Sequence, residues 1–218
     1  MNDVIISGDA SAKVRLIQPI DSRDSATVGD EFKMIRELSG REDILLCAFP
    51  AESWNDCLSP WPAAAVFGRD GFGGKGKETL DLVTGTLIPR LDAEYGIGAV
   101  YMIGGYSLAG LFALWASYQT DLFAGVAAVS PSVWYPGWTE FSFAHNTLAK
   151  RVYLSLGDKE EKTKNAVMAR VGDAVRKQYR VLSSMSGVES VLEWNAGNHF
   201  RDPELRTAKG FAWLLKEK

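Results

Sequence analysis

The chain has 218 residues, 46% of them hydrophobic, and a formal net charge of −3 at pH 7. This size predicts a single well-buried domain spanning residues 1–218, and a weakly acidic chain without a basic cluster is not expected to bind nucleic acid. No apolar run reaches about 18 residues, so no membrane partner is expected. The first residues, MNDVIISGDASAK, carry acidic side chains where a signal peptide needs basic ones, which predicts a cytoplasmic protein.

Strand-like and helix-like segments alternate along the chain. In order, the patterns predict a strand at 14–20, a helix at 31–40, a strand at 43–51, a helix at 79–96 with a kink or break at Pro89, a strand at 99–107, a helix at 108–121, strands at 123–131 and 151–158, a helix at 165–185, a strand at 188–195 and a helix at 203–218. The strands are continuous apolar runs, as in sheets buried on both faces. The fold class is therefore α/β, with a mostly parallel central sheet and helices on both faces.

The cysteines and histidines do not suggest a metal site or a disulfide framework. There are two of each, without paired spacing. Cys47 lies inside an apolar run and is expected in the core.

The segment GFGGKGKET (71–79) contains both a G-x-G-x-x-G pattern and most of a phosphate loop. A nucleotide loop must leave a strand and open a helix, whereas the preceding SPWPAAAVFGRD has two prolines and little β-branching. Glu78 also stands where a phosphate loop needs Ser or Thr. We interpret the segment as a surface loop in which Thr79 caps the next helix, and nucleotide binding is the competing hypothesis.

The segment GGYSLAG (104–110) lies between a predicted buried strand and an apolar helix. A turn tight enough to present one side chain there needs small residues two positions before and after it, and Gly105 and Ala109 meet that need around Ser107. This is the pattern of a nucleophile elbow, G-x-S-x-G, with alanine in the last place. The sequence therefore predicts Ser107 as a nucleophile.

A serine nucleophile needs a base and an acid to orient the base. His199, in the loop after the last strand, is the predicted base, whereas His145 fits a surface helix. The acid should lie between them in the chain, after the preceding strand. Glu160 lies three residues after Gly157, a common spacing in hydrolases, but Asp158 remains an alternative, and so does Glu161.

Together, GGYSLAGLFALWA, SPSVWYPGW, YLSLGDKEE and GNHF resemble the esterase branch of the α/β hydrolases that includes enterochelin-esterase-like proteins. The likeness runs from about residue 44 to the C-terminus. It implies an α/β-hydrolase fold and a serine esterase that acts on a small-molecule ester and needs no cofactor. It also implies an oxyanion hole formed by the amides of Leu108 and of a residue in the loop PAESWND, for which Trp54 is the candidate.

Between Ser130 and Arg151 the chain is too short for a separate cap domain. Trp134, Tyr135 and Trp138 lie in that stretch, beyond the carboxyl end of a strand, and are candidates for the substrate pocket. The alternative is that these aromatic side chains pack the loop onto the core. The same residues would serve a thioesterase, deacetylase or acyltransferase, or remain idle in a binding protein, and the oligomeric state stays open.

Overall fold

The computed structural model describes residues 3–216, apart from the side chains of residues 22 and 23. In chain order the strands are β1 (Ile5–Gly8), β2 (Val14–Ile20), β3 (Ile44–Pro50), β4 (Pro62–Ala63), β5 (Phe72–Gly73), β6 (Val100–Tyr106), β7 (Phe123–Val129), β8 (Arg151–Gly157) and β9 (Glu189–Asn195). Within the described residues, β4 and β5 pair with each other and the other seven form one sheet in the order β1-β3-β2-β6-β7-β8-β9. Only β1 is antiparallel to its neighbour, so the predicted mostly parallel sheet is confirmed.

Helices cover both faces of this sheet. They are α1 (Val28–Ser39), α2 (Trp54–Cys57), α3 (Gly76–Leu82), α4 (Ile88–Tyr95), α5 (Leu108–Ala116), α6 (Trp138–Ala144), α7 (Val171–Ser184) and α8 (Pro203–Leu215). On one face, α1 and α8 pack over Leu16, Leu46 and Val129, and on the other α5 is buried along its whole length. Of the helices described, none is long and apolar enough to cross a membrane.

The described elements differ from the predicted ones in several places. α1 begins three residues earlier than predicted, α5 ends at Ala116 rather than at 121, and the short elements α2, β4, β5 and α6 have no predicted counterpart. β1 was not predicted, because four residues with alternating exposure at the edge of a sheet give a weak signal. The helix predicted at 79–96 is divided into α3 and α4 by a π-helical turn, Val83–Leu87, just before Pro89. Pro89 lacks a backbone N–H, so such a break is expected there. The helix predicted at 165–185 begins at Val171, after a short 3₁₀ turn.

No strand of the seven-stranded sheet leads directly into the glycine-rich segment 71–79, which contains β5 of the two-stranded sheet. A Cβ atom on Gly74 would lie 2.3 Å from the backbone nitrogen of Pro62, and one on Gly76 would lie 2.8 Å from the carbonyl oxygen of Ser59. These glycines therefore permit close packing against the chain at 59–62. Thr79 does not cap α3 as predicted, because it lies within the helix and donates its hydroxyl to the Cys57 carbonyl at 2.7 Å.

A buried carboxyl group gives the fold a pH dependence. Burial raises the pKa of Glu31, on α1, to about 8, although a hydrogen bond with Gln18 acts in the opposite direction. The Oε1 atoms of Glu31 and Gln18 have no hydrogen-bond partner among the described residues. The folded state therefore keeps Glu31 protonated at neutral pH, whereas the unfolded chain ionises it.

Because the pKa of Glu31 is higher in the folded state than in the unfolded chain, its contribution to stability is full below the ordinary carboxyl pKa. That contribution is lost as the pH rises toward 8. In this window, Glu31 should lower the free energy of unfolding by up to roughly 1.4 kcal/mol per pH unit. Glu31→Gln should flatten the fall, as measured by thermal unfolding across this pH range. Equal slopes for the two proteins would contradict the assignment.

Candidate active site

Ser107 occupies the turn between β6 and α5 with φ 59° and ψ −120°, in the positive-φ region that side chains rarely adopt. Its amide donates to the Val129 carbonyl at 3.0 Å, which fixes the turn against β7. A Cβ atom on Gly105 would lie 2.7 Å from the Cβ of Ala109. Alanine is tolerated two residues after the serine because Gly105, two residues before it, has no Cβ atom to collide with. The small residues that the sequence places around Ser107 therefore allow this tight turn.

A chain of hydrogen bonds joins Ser107, His199 and Glu160. The Oγ of Ser107 lies 3.0 Å from Nε2 of His199, and Nδ1 of His199 lies 2.6 Å from Oε2 of Glu160. Because an ionised carboxylate only accepts hydrogen bonds, Nδ1 carries the hydrogen, and Nε2 is left to accept from the serine. The order serine, acid, histidine along the chain is also the one predicted.

The turn after β8 explains why Glu160 faces the histidine. Its Oε1 accepts the Gly157 amide at 2.7 Å, so the side chain reaches back three residues and turns Oε2 toward His199. Asp158 is exposed and accepts the Gly197 amide at 2.7 Å instead. Glu161 pairs with Arg176 at 3.1 Å. Asp158 and Glu161 thus hold neighbouring segments, and within the described part of the chain neither is hydrogen-bonded to His199.

Glu160 is buried, yet its surroundings favour the ionised form. Burial raises its pKa. The hydrogen bond and charge of His199, together with hydrogen bonds from Ser130 and Gly157, lower the pKa by more than burial raises it, so the net pKa is below the ordinary value. The Ser130 hydroxyl donates to Oε1 at 2.7 Å, and Nη1 of Arg206 lies 3.1 Å from the same oxygen. Glu160 is therefore a carboxylate at neutral pH and can stabilise a positive charge on the imidazole.

Arg206, in the first turn of α8, holds the histidine loop as well as the acid. Its side chain is 2% exposed, and Nη2 donates to the carbonyls of Ala196 and Asn198 at 3.0 and 3.1 Å. The Tyr106 hydroxyl accepts from Nη1 at 3.1 Å and donates to the His199 carbonyl at 2.6 Å. This role of Arg206 is not among those predicted from the sequence. A signal was present, because Arg206 is four and eight residues before Gly210 and Leu214 on the buried face of α8.

Replacing Arg206 by methionine should destabilise the protein, because it leaves the Glu160 carboxylate buried without its cationic partner. We expect the free energy of unfolding to fall by roughly 3 kcal/mol, as for other broken buried ion pairs. Arg201→Met is the matched control, since that side chain is 60% exposed and, among the described residues, forms an ion pair with Asp202 alone. It should change stability by less than about 0.5 kcal/mol. Urea unfolding measures both, and equal losses would contradict the buried-pair argument.

The two proposed oxyanion amides both begin helices. Leu108 is the first residue of α5 and Trp54 the first of α2, so neither amide has an acceptor within its own helix. Leu108 directly follows Ser107, and Trp54 follows β3, which ends at the same edge of the sheet as β6. His145, interpreted from the sequence as a residue of a surface helix, is exposed at the end of α6 and stacks on Phe141 at 4.4 Å.

Two of the three predicted pocket aromatics lie in the core instead. Trp138 is 1% exposed and donates its indole N–H to Gln178 at 2.9 Å, and Tyr135 is 2% exposed and donates to the Trp61 carbonyl. Their polar atoms have partners inside the fold, which is why large side chains can be buried there. Trp134 is half-buried and lines a cavity beside His199. The burial of Tyr135 and Trp138 agrees with the alternative that they pack the loop onto the core, and a substrate-binding role for Trp134 stays a prediction.

Solved structures with the same architecture include an IroE-like serine hydrolase from Shewanella oneidensis, with a TM-score of 0.78 and 14% identity over 97% of this chain and 75% of that one. They also include the siderophore hydrolase EstB from Aspergillus nidulans, with a TM-score of 0.75 and 16% identity over 97% of this chain and 88% of that one. The BES protein from Bacillus cereus has a TM-score of 0.72 and 16% identity over 99% of this chain and 89% of that one. No curated protein matches the sequence at a significant level.

At these identities the likeness establishes the fold, and the α/β-hydrolase fold expected from the sequence is confirmed. The model of the family described as "Putative esterase" matches residues 38–201, well over half of the chain and including Ser107, Glu160 and His199. The chain therefore belongs to this esterase family.

Proposed function

We propose that the protein is a serine hydrolase that cleaves a carboxylic ester through an acyl-enzyme on Ser107. The observation that supports this most directly is the continuous hydrogen-bond chain from Ser107 through His199 to Glu160, at 3.0 and 2.6 Å. A serine hydroxyl is a weak nucleophile, and it needs a base oriented in this way. Leu108, the first residue of α5, directly follows Ser107, and its amide has no acceptor within the helix, which supports its assignment as an oxyanion donor.

In the proposed acylation, the Ser107 Oγ attacks the ester carbonyl carbon while Nε2 of His199 takes its proton. Glu160 stabilises the imidazolium that results, and it remains ionised throughout. The negative charge that develops on the carbonyl oxygen is stabilised by the amide of Leu108, and we assign the second donor to Trp54. When the carbon–oxygen bond to the alcohol breaks, His199 returns the proton to the departing alkoxide.

Deacylation repeats the sequence with water. Nε2 of His199 takes a proton from the water as it attacks the acyl carbon, and then gives that proton to Ser107 when the acid leaves. The same groups serve thioesters, acetylated substrates or acyl transfer, which differ in the leaving group or the acceptor. A binding protein with an idle site is the alternative from another class.

The proposal is tested by labelling with a fluorophosphonate probe. We expect one probe per chain, attached to the tryptic peptide that carries Ser107 and identified by mass spectrometry. An oxygen ester, a thioester and an amide with the same acyl group should then be compared by kcat/KM, with the oxygen ester hydrolysed fastest. A higher kcat/KM for the thioester would favour the thioesterase. The absence of both labelling and turnover would favour the binding protein.

A further inference from the structure

A cavity of about 290 Å³ opens beside the histidine of the proposed site. Its walls include His199 and Glu160 but neither Ser107 nor Leu108, so it lies beside the base and the acid rather than at the nucleophile itself. In ester hydrolysis the leaving alcohol receives its proton from the base and therefore departs on the side of the histidine. The position of the cavity thus fits the alcohol portion of an ester better than the acyl portion.

The walls of the cavity are largely apolar. Trp134, Met168, Val171 and Phe200 contribute side chains, and Phe200 is 86% exposed although it follows the histidine directly. Phe67 packs against Trp134, with the two rings edge to face and their centroids 6.0 Å apart. A flat apolar group would find both aromatic and thioether contacts here.

Two lysines, Lys159 and Lys162, add positive charge to this cavity. Neither ammonium group forms an ion pair with another described residue. The acidic side chains of the same turn pair with other groups: Glu160 with Arg206 and His199, and Glu161 with Arg176. Asp158 accepts the Gly197 amide. The cavity therefore combines apolar walls with two cations that lack a fixed counter-charge.

We propose that this cavity binds the leaving alcohol of the substrate, and that this alcohol has an aromatic body bearing a carboxylate. The ring lies against Trp134 and Phe200, and the carboxylate lies near Lys159 and Lys162. The inference rests on the proposed ester hydrolysis at Ser107 and names the substrate class for the same site.

The experiment compares 3-(4-acetoxyphenyl)propanoate with its methyl ester. At the far end of the alcohol the first carries a carboxylate and the second an uncharged methyl ester, and the methylene groups insulate the reacting phenol from that charge. Release of the phenol is followed, so that cleavage of the methyl ester is not counted. Both give the same acetyl-enzyme, so a difference in kcat/KM must arise before the alcohol leaves. We expect the carboxylate to be preferred by roughly three- to tenfold, as two partly solvated ion pairs would provide.

In the double variant Lys159→Gln/Lys162→Gln, the ratio of the two kcat/KM values should fall toward one. Lys164→Gln removes a charge from the same loop but does not line the cavity, and it should keep the ratio. Added salt should lower the wild-type ratio, since exposed charges are screened. Phenyl hydrogen adipate and phenyl methyl adipate carry the same charge difference in the acyl group and should show no such preference.

Equal kcat/KM values for the acetoxyphenyl pair, or a preference that survives in the double variant, would overturn the subsite while leaving the ester hydrolysis intact. A preference seen only with the adipate pair would overturn the assignment to the alcohol. Failure to hydrolyse any of the four esters would overturn the proposed function together with the subsite.

Discussion

Replacement of Ser107 by alanine is expected to lower kcat for ester hydrolysis by roughly 10⁶-fold. The loss should be this large because the proposed acyl-enzyme cannot form without the Oγ atom. His199 would still be oriented by Glu160, but it could only activate water directly. Release of 4-nitrophenol from 4-nitrophenyl acetate measures the effect, and labelling by the fluorophosphonate probe should disappear as well.

Ser132 provides the comparison, because its Oγ lies 3.4 Å from that of Ser107. Ser132→Ala should lower kcat by less than about tenfold, since Ser132 makes no hydrogen bond to His199 among the described contacts. Both variants should unfold near the wild-type temperature. Substantial turnover by Ser107→Ala would contradict the acyl-enzyme mechanism. Equal losses of kcat in the two variants would contradict the assignment of the nucleophile to Ser107 rather than to Ser132.

Glu160→Gln should lower kcat by roughly 10³- to 10⁴-fold, as for other acids of such triads. The glutamine oxygen can still accept from Gly157, Ser130 and Arg206, so its amide nitrogen is turned toward His199. An NH₂ group there would require Nδ1 to accept, which places the hydrogen on Nε2 and blocks proton transfer from Ser107. The variant keeps the shape of the site and changes the tautomer of the base.

Asp158→Asn is the matched control, two residues earlier on the same turn. Its side chain contacts the Gly197 amide rather than the imidazole, so kcat should change by less than about threefold. Steady-state hydrolysis by the two variants, with thermal unfolding as a check on folding, decides between the carboxylates. Reversed phenotypes would assign the acid to Asp158. If neither variant were impaired, Ser107 and His199 would act without a carboxylate partner.

The features that the sequence predicts well depend on short-range rules. The small residues Gly105 and Ala109 around Ser107 form a local pattern, and so does the spacing of three residues from Gly157 to Glu160, which in the structure lets Glu160 accept the Gly157 amide. The buried strands were recognisable as apolar runs, since both of their faces are covered. Each of these properties is contained in fewer than ten consecutive residues.

The side-chain partners that were not predicted lie on segments far apart in the chain. Arg206 is 46 residues from Glu160 and 100 from Tyr106, and no local pattern indicates that their side chains meet. Trp138 was placed in the pocket because aromatic residues after a strand fit a ligand site, but its indole N–H finds Gln178, 40 residues away. Such partners are fixed by the tertiary fold and not by propensity or spacing.

The position of Arg206 on the last helix makes catalysis depend on the docking of that helix. If α8 separated from the sheet, the acid and the histidine loop would lose a common support, while the strands of the sheet could remain paired. Local opening of such a unit costs less free energy than global unfolding. In mild urea, ester hydrolysis should therefore be lost before the far-ultraviolet circular dichroism changes, and coincident transitions would contradict this. Loss of ester hydrolysis would then be a sensitive measure of partial unfolding, detected while most of the backbone is still folded.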